Sequence, residues 1–153
     1  MVKKILCAVL AAAALLLFVS CGSSKEVDTA ALISELKSSD LFSEEPEQVD
    51  SDTVNNILLI DTSGCSSFEF YMTTGFTGEE FGVFTCNSGD DADSLRSSLE
   101  ARKSSQYDAY KDYNQEAIPR IEHTVIEVSG KYVAYVSADD YSKAQEIVDK
   151  YFK

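Results

Sequence analysis

The sequence predicts an α+β fold in which two ββα units form a four-stranded antiparallel sheet, with both helices on one face. Residues 67–73 alternate apolar and polar side chains, as a half-buried strand does. A strand then leads through serine and paired aspartates into a helix twice, in VFTCNSGDDADSLRSSLE and in VAYVSADDYSKAQEIVDKYF. Helices that cover one side of an antiparallel sheet are a common α+β arrangement. Independent use of good helix caps explains the likeness of the halves as well as duplication does.

A short helix is expected before the sheet, at residues 29–37. Asp28 is a candidate N-cap, and three apolar residues follow at helical spacing: Leu32, Ile33 and Leu36. The acidic stretch 44–47 predicts an exposed loop. Residues 51–59 are ambiguous, and we interpret them as a capped helical turn.

The first hairpin is expected to turn at the Gly75–Phe76 bond, within turn-forming residues. In that register Phe68 faces Val83 and Phe70 faces Phe81, which pairs apolar side chains across the strands. The same register places Cys65 opposite Cys86 at the open end of the hairpin, on the face away from the phenylalanines. If Ser63-Gly64 diverts the chain, the two cysteines stay apart as free thiols.

Two helices and a second hairpin complete the predicted fold. The long helix covers about 92–113, and its inward residues are Ala92, Leu95, Leu99, Gln106 and Tyr110. Strands at 123–129 and 131–137 flank Ser129-Gly130. Asp139-Asp140 then caps a final helix at 141–152.

The first 20 residues predict a secretory signal peptide. Lys3 and Lys4 precede an apolar run at 5–19, which is shorter than the roughly 20 residues that a membrane-spanning helix needs. The run ends in LFVSC, which is typical of the lipobox of a bacterial lipoprotein, although Phe18 stands where leucine is commoner. We predict lipidation of Cys21, a tether at 21–27 and one extracytoplasmic domain at 28–153. An uncleaved anchor and an ordinary disulfide at Cys21 are the alternatives.

Charge and cysteine content limit the classes of partner. The chain carries −13, and residues 21–153 carry −15 because the first 20 residues contain two lysines and no acid. This charge argues against nucleic acid, and against an amphipathic helix on anionic lipid. The membrane partner is therefore expected only through lipid on Cys21. Cys65 and Cys86 remain as one possible disulfide pair in a compartment that permits disulfides.

The sequence offers no constellation of catalytic residues, and we expect no metal and no cofactor. His123 is the one histidine and is expected on the surface at a strand end. Asp90-Asp91 and Asp139-Asp140 lack the pattern of a calcium loop and precede helices, where carboxylates cap free N–H groups.

Tyrosines are the one candidate binding feature. Tyr107, Tyr110 and Tyr113 lie along one side of the long helix, and tyrosine is favoured in binding surfaces because it combines apolar area with a polar tip. The alternative is that these side chains cover the edge of a thin core.

Several motifs resemble those of a known family. The hairpin carries Gly-x-Thr-x-Glu-Glu, a phenylalanine-bearing strand leads into Asp-Asp-Ala-Asp, and the helix ends Tyr-x-x-Tyr-Asn. The residues are Gly75, Thr77, Glu79, Glu80, Phe84, Asp90 to Asp93, Tyr110, Tyr113 and Asn114. With the lipobox and an acidic first third, residues 27–152 resemble small lipoproteins of Gram-positive anaerobes, a family known only as domain of unknown function 4358. The resemblance implies a fold and an envelope location, and it implies no catalytic residues.

Three functions are compatible with these observations. The first is a non-enzymatic binding or accessory module of the cell envelope, membrane-anchored and docking a protein, peptide or glycan. The second is a structural spacer in an envelope complex. The third is a small wall-acting enzyme, for which acid pairs such as Glu79 and Glu80 would have to serve. The lack of a nucleophile–base or metal constellation places the enzyme last.

Overall fold

The computed structural model describes residues 26–153. The predicted signal peptide at 1–20, the lipidation at Cys21 and nearly all of the tether therefore lie outside the described residues. Within 26–153, no helix combines the length and the apolar character needed to cross a membrane.

The described chain folds into one five-stranded antiparallel sheet with helices packed on it. The helices are α1 (Thr29–Ser38), α2 (Ser51–Asn56), α3 (Gly89–Tyr110), α4 (Ile118–Glu122) and α5 (Tyr141–Phe152), with a 3-10 turn at Gln115–Ala117. The strands are β1 (Glu47–Gln48), β2 (Cys65–Met72), β3 (Glu80–Cys86), β4 (Val125–Ser129) and β5 (Tyr132–Ser137). Their order in the sheet is β1-β2-β3-β5-β4.

The predicted α+β class and antiparallel sheet are confirmed, but the predicted number of four strands is wrong. The fifth strand is β1, whose Glu47 and Gln48 pair with Met72 and Tyr71 of β2. Glu47 is the last residue of the acidic stretch 44–47, which was predicted to be an exposed loop. A two-residue strand is too short to show any periodicity, so that only its partner in space reveals it.

The helices lie on both faces of the sheet, which corrects the prediction that they share one face. Apolar residues of α1 and α5 join one core, whereas those of α2 and α3 join another. The central strands explain this arrangement, because they are buried on both sides. In β3, Phe81 and Val83 belong to the first core while Phe84 belongs to the second. A strand with large apolar side chains on both faces requires a cover on both faces.

The register of the first hairpin differs from the prediction by one residue along most of its length. Phe68 pairs with Phe84, and Phe70 pairs with Gly82. A Cβ atom on Gly82 would lie 2.6 Å from carbon atoms of both the Phe70 and the Phe84 rings. The register is therefore the one that places a residue without a side chain between two rings.

The predicted opposition of Cys65 and Cys86 across the two strands is nevertheless confirmed, because a β-bulge shifts the register between Cys65 and Ser67. The face predicted for the cysteines is wrong. Both contribute to the core that contains Phe70 and Phe84, rather than lying on the opposite face.

Helix caps account for where the helices start. Asp28, Asp50 and Asp140 each accept a hydrogen bond from a backbone N–H three residues on, at 2.9, 2.9 and 3.0 Å. The predicted capping by Asp90-Asp91 is wrong, since Ser88 caps α3 and accepts from the N–H of Asp91 at 3.1 Å. The two aspartates lie in the first turn of α3, where the helix dipole favours negative charge.

Candidate functional site

Two of the sequence motifs, Gly75–Glu80 in the first hairpin and Tyr110–Asn114 at the end of α3, lie in contact at one end of the sheet. The connection from Thr73 to Glu79, between β2 and β3, lies against the end of α3 and against α4. Asn114, just beyond α3, donates from Nδ2 to the backbone oxygen of Phe76 at 2.8 Å. Arg120 of α4 donates from Nη1 to the backbone oxygen of Thr77 at 3.0 Å. These bonds join segments that are about 40 residues apart in the chain.

Phe76 is the most prominent side chain of this connection. The residue is 58% exposed, and its ring stacks on that of Tyr110 with centroids 3.9 Å apart and planes 7° from parallel. One face of the ring is thus covered by a tyrosine, and the other remains accessible. Phe76 was predicted only to be part of a turn. A large aromatic residue among turn-forming residues was the available signal.

Hydrogen bonds within the connection hold its shape. The hydroxyl groups of Thr73 and Thr77 lie 2.6 Å apart, and the N–H of Glu79 donates to Thr77 Oγ1 at 3.1 Å. Gly78 has a φ of +76°, in the left-handed region that favours glycine. At the base of the turn, a Cβ atom on Gly78 would lie 3.3 Å from a side-chain carbon of Ile121. The turn that presents Phe76 is therefore fixed both by its own bonds and by α4.

Glu79 anchors the turn to α4. Its carboxylate is buried, lies 3.3 Å from Arg120 Nη1 and accepts a bond from the Ser43 N–H at 3.1 Å. The second terminal nitrogen of Arg120 binds the Asp139 carboxylate at 2.8 Å. Asp139, which was predicted to cap α5 together with Asp140, instead pairs with this arginine.

Glu80 anchors the start of β3 to α3. Its carboxylate is fully buried and accepts two bonds from Arg102, at 3.1 Å from Nε and 2.8 Å from Nη2. The hydroxyl of Tyr135 donates to it at 2.9 Å and lies 3.1 Å from Gln106 Oε1. Burial alone would lower the pKa of Arg102, but the hydrogen bond and charge of Glu80 raise it overall. Burial, and then the Glu80 charge, raise the pKa of Tyr135 well above its ordinary value.

The two adjacent glutamates thus serve different neighbours, and neither carboxylate reaches the surface. Glu79 and Glu80 are the acids that the enzyme hypothesis would require. In the structure, their ion pairs with Arg120 and Arg102 hold the turn in place. Among residues 26–153, no three histidine, cysteine, aspartate or glutamate side chains are grouped closely enough to hold a metal ion.

The structure separates the three predicted tyrosines. Tyr110 is half-buried under Phe76, and Tyr113, beyond the end of α3, is 86% exposed. Tyr107 is 38% exposed and lines a groove of about 240 Å³ between α3 and α4, with Lys103, Ile121 and Glu122. The candidate surface at this end of the sheet consists of Phe76, stacked on Tyr110, and the exposed Tyr113 in the segment after α3. We call it the Phe76 surface.

The cysteine pair lies at the opposite end of the β2–β3 hairpin. The sulfur atoms of Cys65 and Cys86 are 3.7 Å apart, and both residues are free thiols. Burial, followed by the neighbouring Cys86, raises the pKa of Cys65 to about 12. The predicted disulfide remains a prediction, with its two sulfurs already in contact.

Two further features lie outside the Phe76 surface. His123 is exposed just before β4 as predicted, and its ring stacks on Tyr141 with centroids 4.2 Å apart. Ile57 and Leu59, after α2, are each 71% exposed, and Leu59 has a φ of +57°. A left-handed backbone is costly for leucine, and nothing in the sequence pattern indicated it.

Comparison with known proteins gives one match. The model of a family described as a domain of unknown function, DUF4358, matches residues 38–138, more than half of the chain. No match was found among curated proteins or among solved structures. The match covers the hairpin motif, the end of α3 and α4, and therefore the whole of the Phe76 surface.

Proposed function

We propose that this chain, which belongs to the DUF4358 family, is a non-enzymatic binding or accessory module of the Gram-positive cell envelope. In this proposal it is a lipoprotein held by lipid on Cys21 at the outer face of the cytoplasmic membrane. The observation that carries the binding role is the exposed, stacked ring of Phe76 on a fixed turn.

The construction of the turn supports a binding role. Phe76 is held through its ring by Tyr110 and through its backbone oxygen by Asn114. The neighbouring Thr77 is held by Arg120. Aromatic side chains commonly dominate the affinity of an interface, and a side chain already ordered before binding loses less entropy on binding.

The anchor is supported by the lipobox and by the short distance from Cys21 to the fold. α1 begins at Thr29, so a fully extended tether at 21–27 spans at most about 25 Å. The domain would then stay close to the membrane. Two lipid chains retain a protein where a single chain gives only marginal binding.

Site-specific photocrosslinking tests the binding role. We expect benzoylphenylalanine in place of Phe76, in cells that make the full chain, to yield a crosslinked product of discrete mass. The matched control places the same group at Arg96, an exposed position in the first half of α3. A product at position 76 and not at 96 supports the proposal. Equal products at both positions, or none at 76, would contradict it and favour a spacer role.

Replacement of the predicted lipidated residue tests the anchor. Cys21→Ser is expected to release the protein into the medium or to leave it as an uncleaved precursor, because serine cannot carry the thioether-linked lipid. Cell fractionation and blotting measure this, with Cys65→Ser as the matched control. A normally processed, mature-sized band that stays in the membrane fraction would remove the lipid anchor from the proposal.

A further inference from the structure

The geometry points to a cation as the ligand of the Phe76 surface. We propose that a lysine or arginine side chain of a basic partner segment docks on the accessible face of the Phe76 ring. This inference rests on the proposed binding function and specifies the chemistry of the partner.

The orientation of the Phe76 ring leaves one of its faces open. Tyr110 covers one face of the Phe76 ring, with ring centroids 3.9 Å apart, and Phe76 is still 58% exposed, so the opposite face is available to a ligand. The face of an aromatic ring carries the negative end of its quadrupole and attracts ammonium and guanidinium groups. Tyr113, which is 86% exposed, provides a second aromatic side chain in the adjacent segment.

Acidic residues flank the aromatic residues in the chain, and one of them is bonded to the turn. Exposed acids lie in the segment that carries Tyr110 and Tyr113, and one more touches the turn: Asp108, Asp112, Glu116 and Glu44. Glu44 accepts a bond from Thr74 Oγ1 at 2.9 Å, two residues before Phe76. The exposed cation of this segment, Lys111, is bound to Asp108 at 2.7 Å. An incoming cation therefore meets an excess of negative charge.

The two arginines nearest the turn do not offset this charge. Arg102 is bound to Glu80, and Arg120 is shared between Glu79 and Asp139. Tyr110 is also the last residue of α3, and the side chain of the next residue, Lys111, is bound to Asp108. The carboxyl end of a helix carries partial negative charge, which favours a cation nearby.

Charge also decides between possible occupants. A second copy of this chain would bring together two domains that each carry −15 over residues 21–153. Repulsion of that size disfavours self-association, whereas it steers a basic segment toward the surface. An apolar segment would fill the area around Phe76 but would make no use of the surrounding carboxylates.

The test uses the full chain in non-ionic detergent and the blocked peptide tetra-arginine as the probe, with tetraglutamate as the opposite-charge control. Phe76→Leu keeps an apolar side chain but removes the aromatic face, and Phe76→Trp enlarges that face. We expect Phe76→Leu to weaken binding of tetra-arginine about two- to fivefold, as loss of an exposed cation–π contact does. Phe76→Trp is expected to bind at least as tightly as the unchanged protein.

A matched pair of charge variants separates local from general attraction. Asp112→Asn, beside Tyr113, is expected to weaken binding more than Asp93→Asn, which removes the same charge from an exposed position near the start of α3. Equal effects of these two variants, or binding unaffected by Phe76→Leu, would show general counterion attraction and would overturn the inference. If the inference is overturned in this way but the photocrosslink at position 76 is still observed, the proposed binding function stands and the ligand belongs to another chemical class.

Discussion

Arg102→Met is expected to lower the free energy of unfolding by about 3–5 kcal/mol, the usual effect of removing one partner from a buried ion pair. Arg102 is the cation that binds Glu80, through two hydrogen bonds, and the Glu80 side chain is fully buried. Without the guanidinium, the carboxylate keeps the Tyr135 hydroxyl as a partner but loses its compensating charge. Methionine retains much of the side-chain length, so the measured loss reflects charge more than packing.

Chemical denaturation followed by circular dichroism measures this loss. Arg96→Met, an exposed position on the same helix, is the matched control and is expected to change stability by less than about 0.5 kcal/mol. The double variant Glu80→Gln, Arg102→Met should lose less than the sum of the two single losses, because the two groups interact directly. A loss below about 1 kcal/mol for Arg102→Met would contradict the role assigned to this pair.

Oxidation of Cys65 and Cys86 to a disulfide is expected to stabilise the protein by roughly 3 kcal/mol, as closing a loop of about 20 residues does in the chain-entropy model. The residues are directly opposed on antiparallel strands, and their sulfur atoms are 3.7 Å apart. Opposed residues of antiparallel strands have α-carbon separations within the range that disulfides use. An added small-molecule disulfide supplies the oxidant: the two thiols lose two electrons and two protons, and the reagent is reduced to two thiols.

The reaction should be slow at neutral pH, because the pKa of Cys65 is raised to about 12 and the attacking species is the thiolate. Thiol counting under denaturing conditions, with Cys21 replaced, should fall from two to none after oxidation. The melting temperature should then rise by about 10 °C relative to the reduced protein. Cys86→Ser treated in the same way is the control and should show no rise. Two titratable thiols after prolonged treatment would rule out the pairing.

The sequence alone determined the elements whose signals are local. The capping aspartates at 28 and 140 and the strand pattern at 67–73 lie within a few residues of the structure they specify. The repeated order of hairpin followed by helix was predicted for the same reason, and the structure confirms it. The opposition of Cys65 and Cys86 is not such a local signal, because it was predicted from a register that is wrong by one residue and holds only through the bulge after Cys65. A cap or an alternating pattern acts through neighbouring backbone groups, so reading along the chain recovers it.

Only the tertiary structure decided which faces are covered and where the candidate site lies. Periodicity shows that a strand has apolar residues on both sides, but not which helix covers each side. Gly82 sets the register because two rings meet over it, and the stack of Phe76 on Tyr110 joins residues more than 30 positions apart. Glu79 and Glu80 look alike in sequence, yet Glu79, which ends the turn, binds Arg120, and Glu80, which begins β3, binds Arg102.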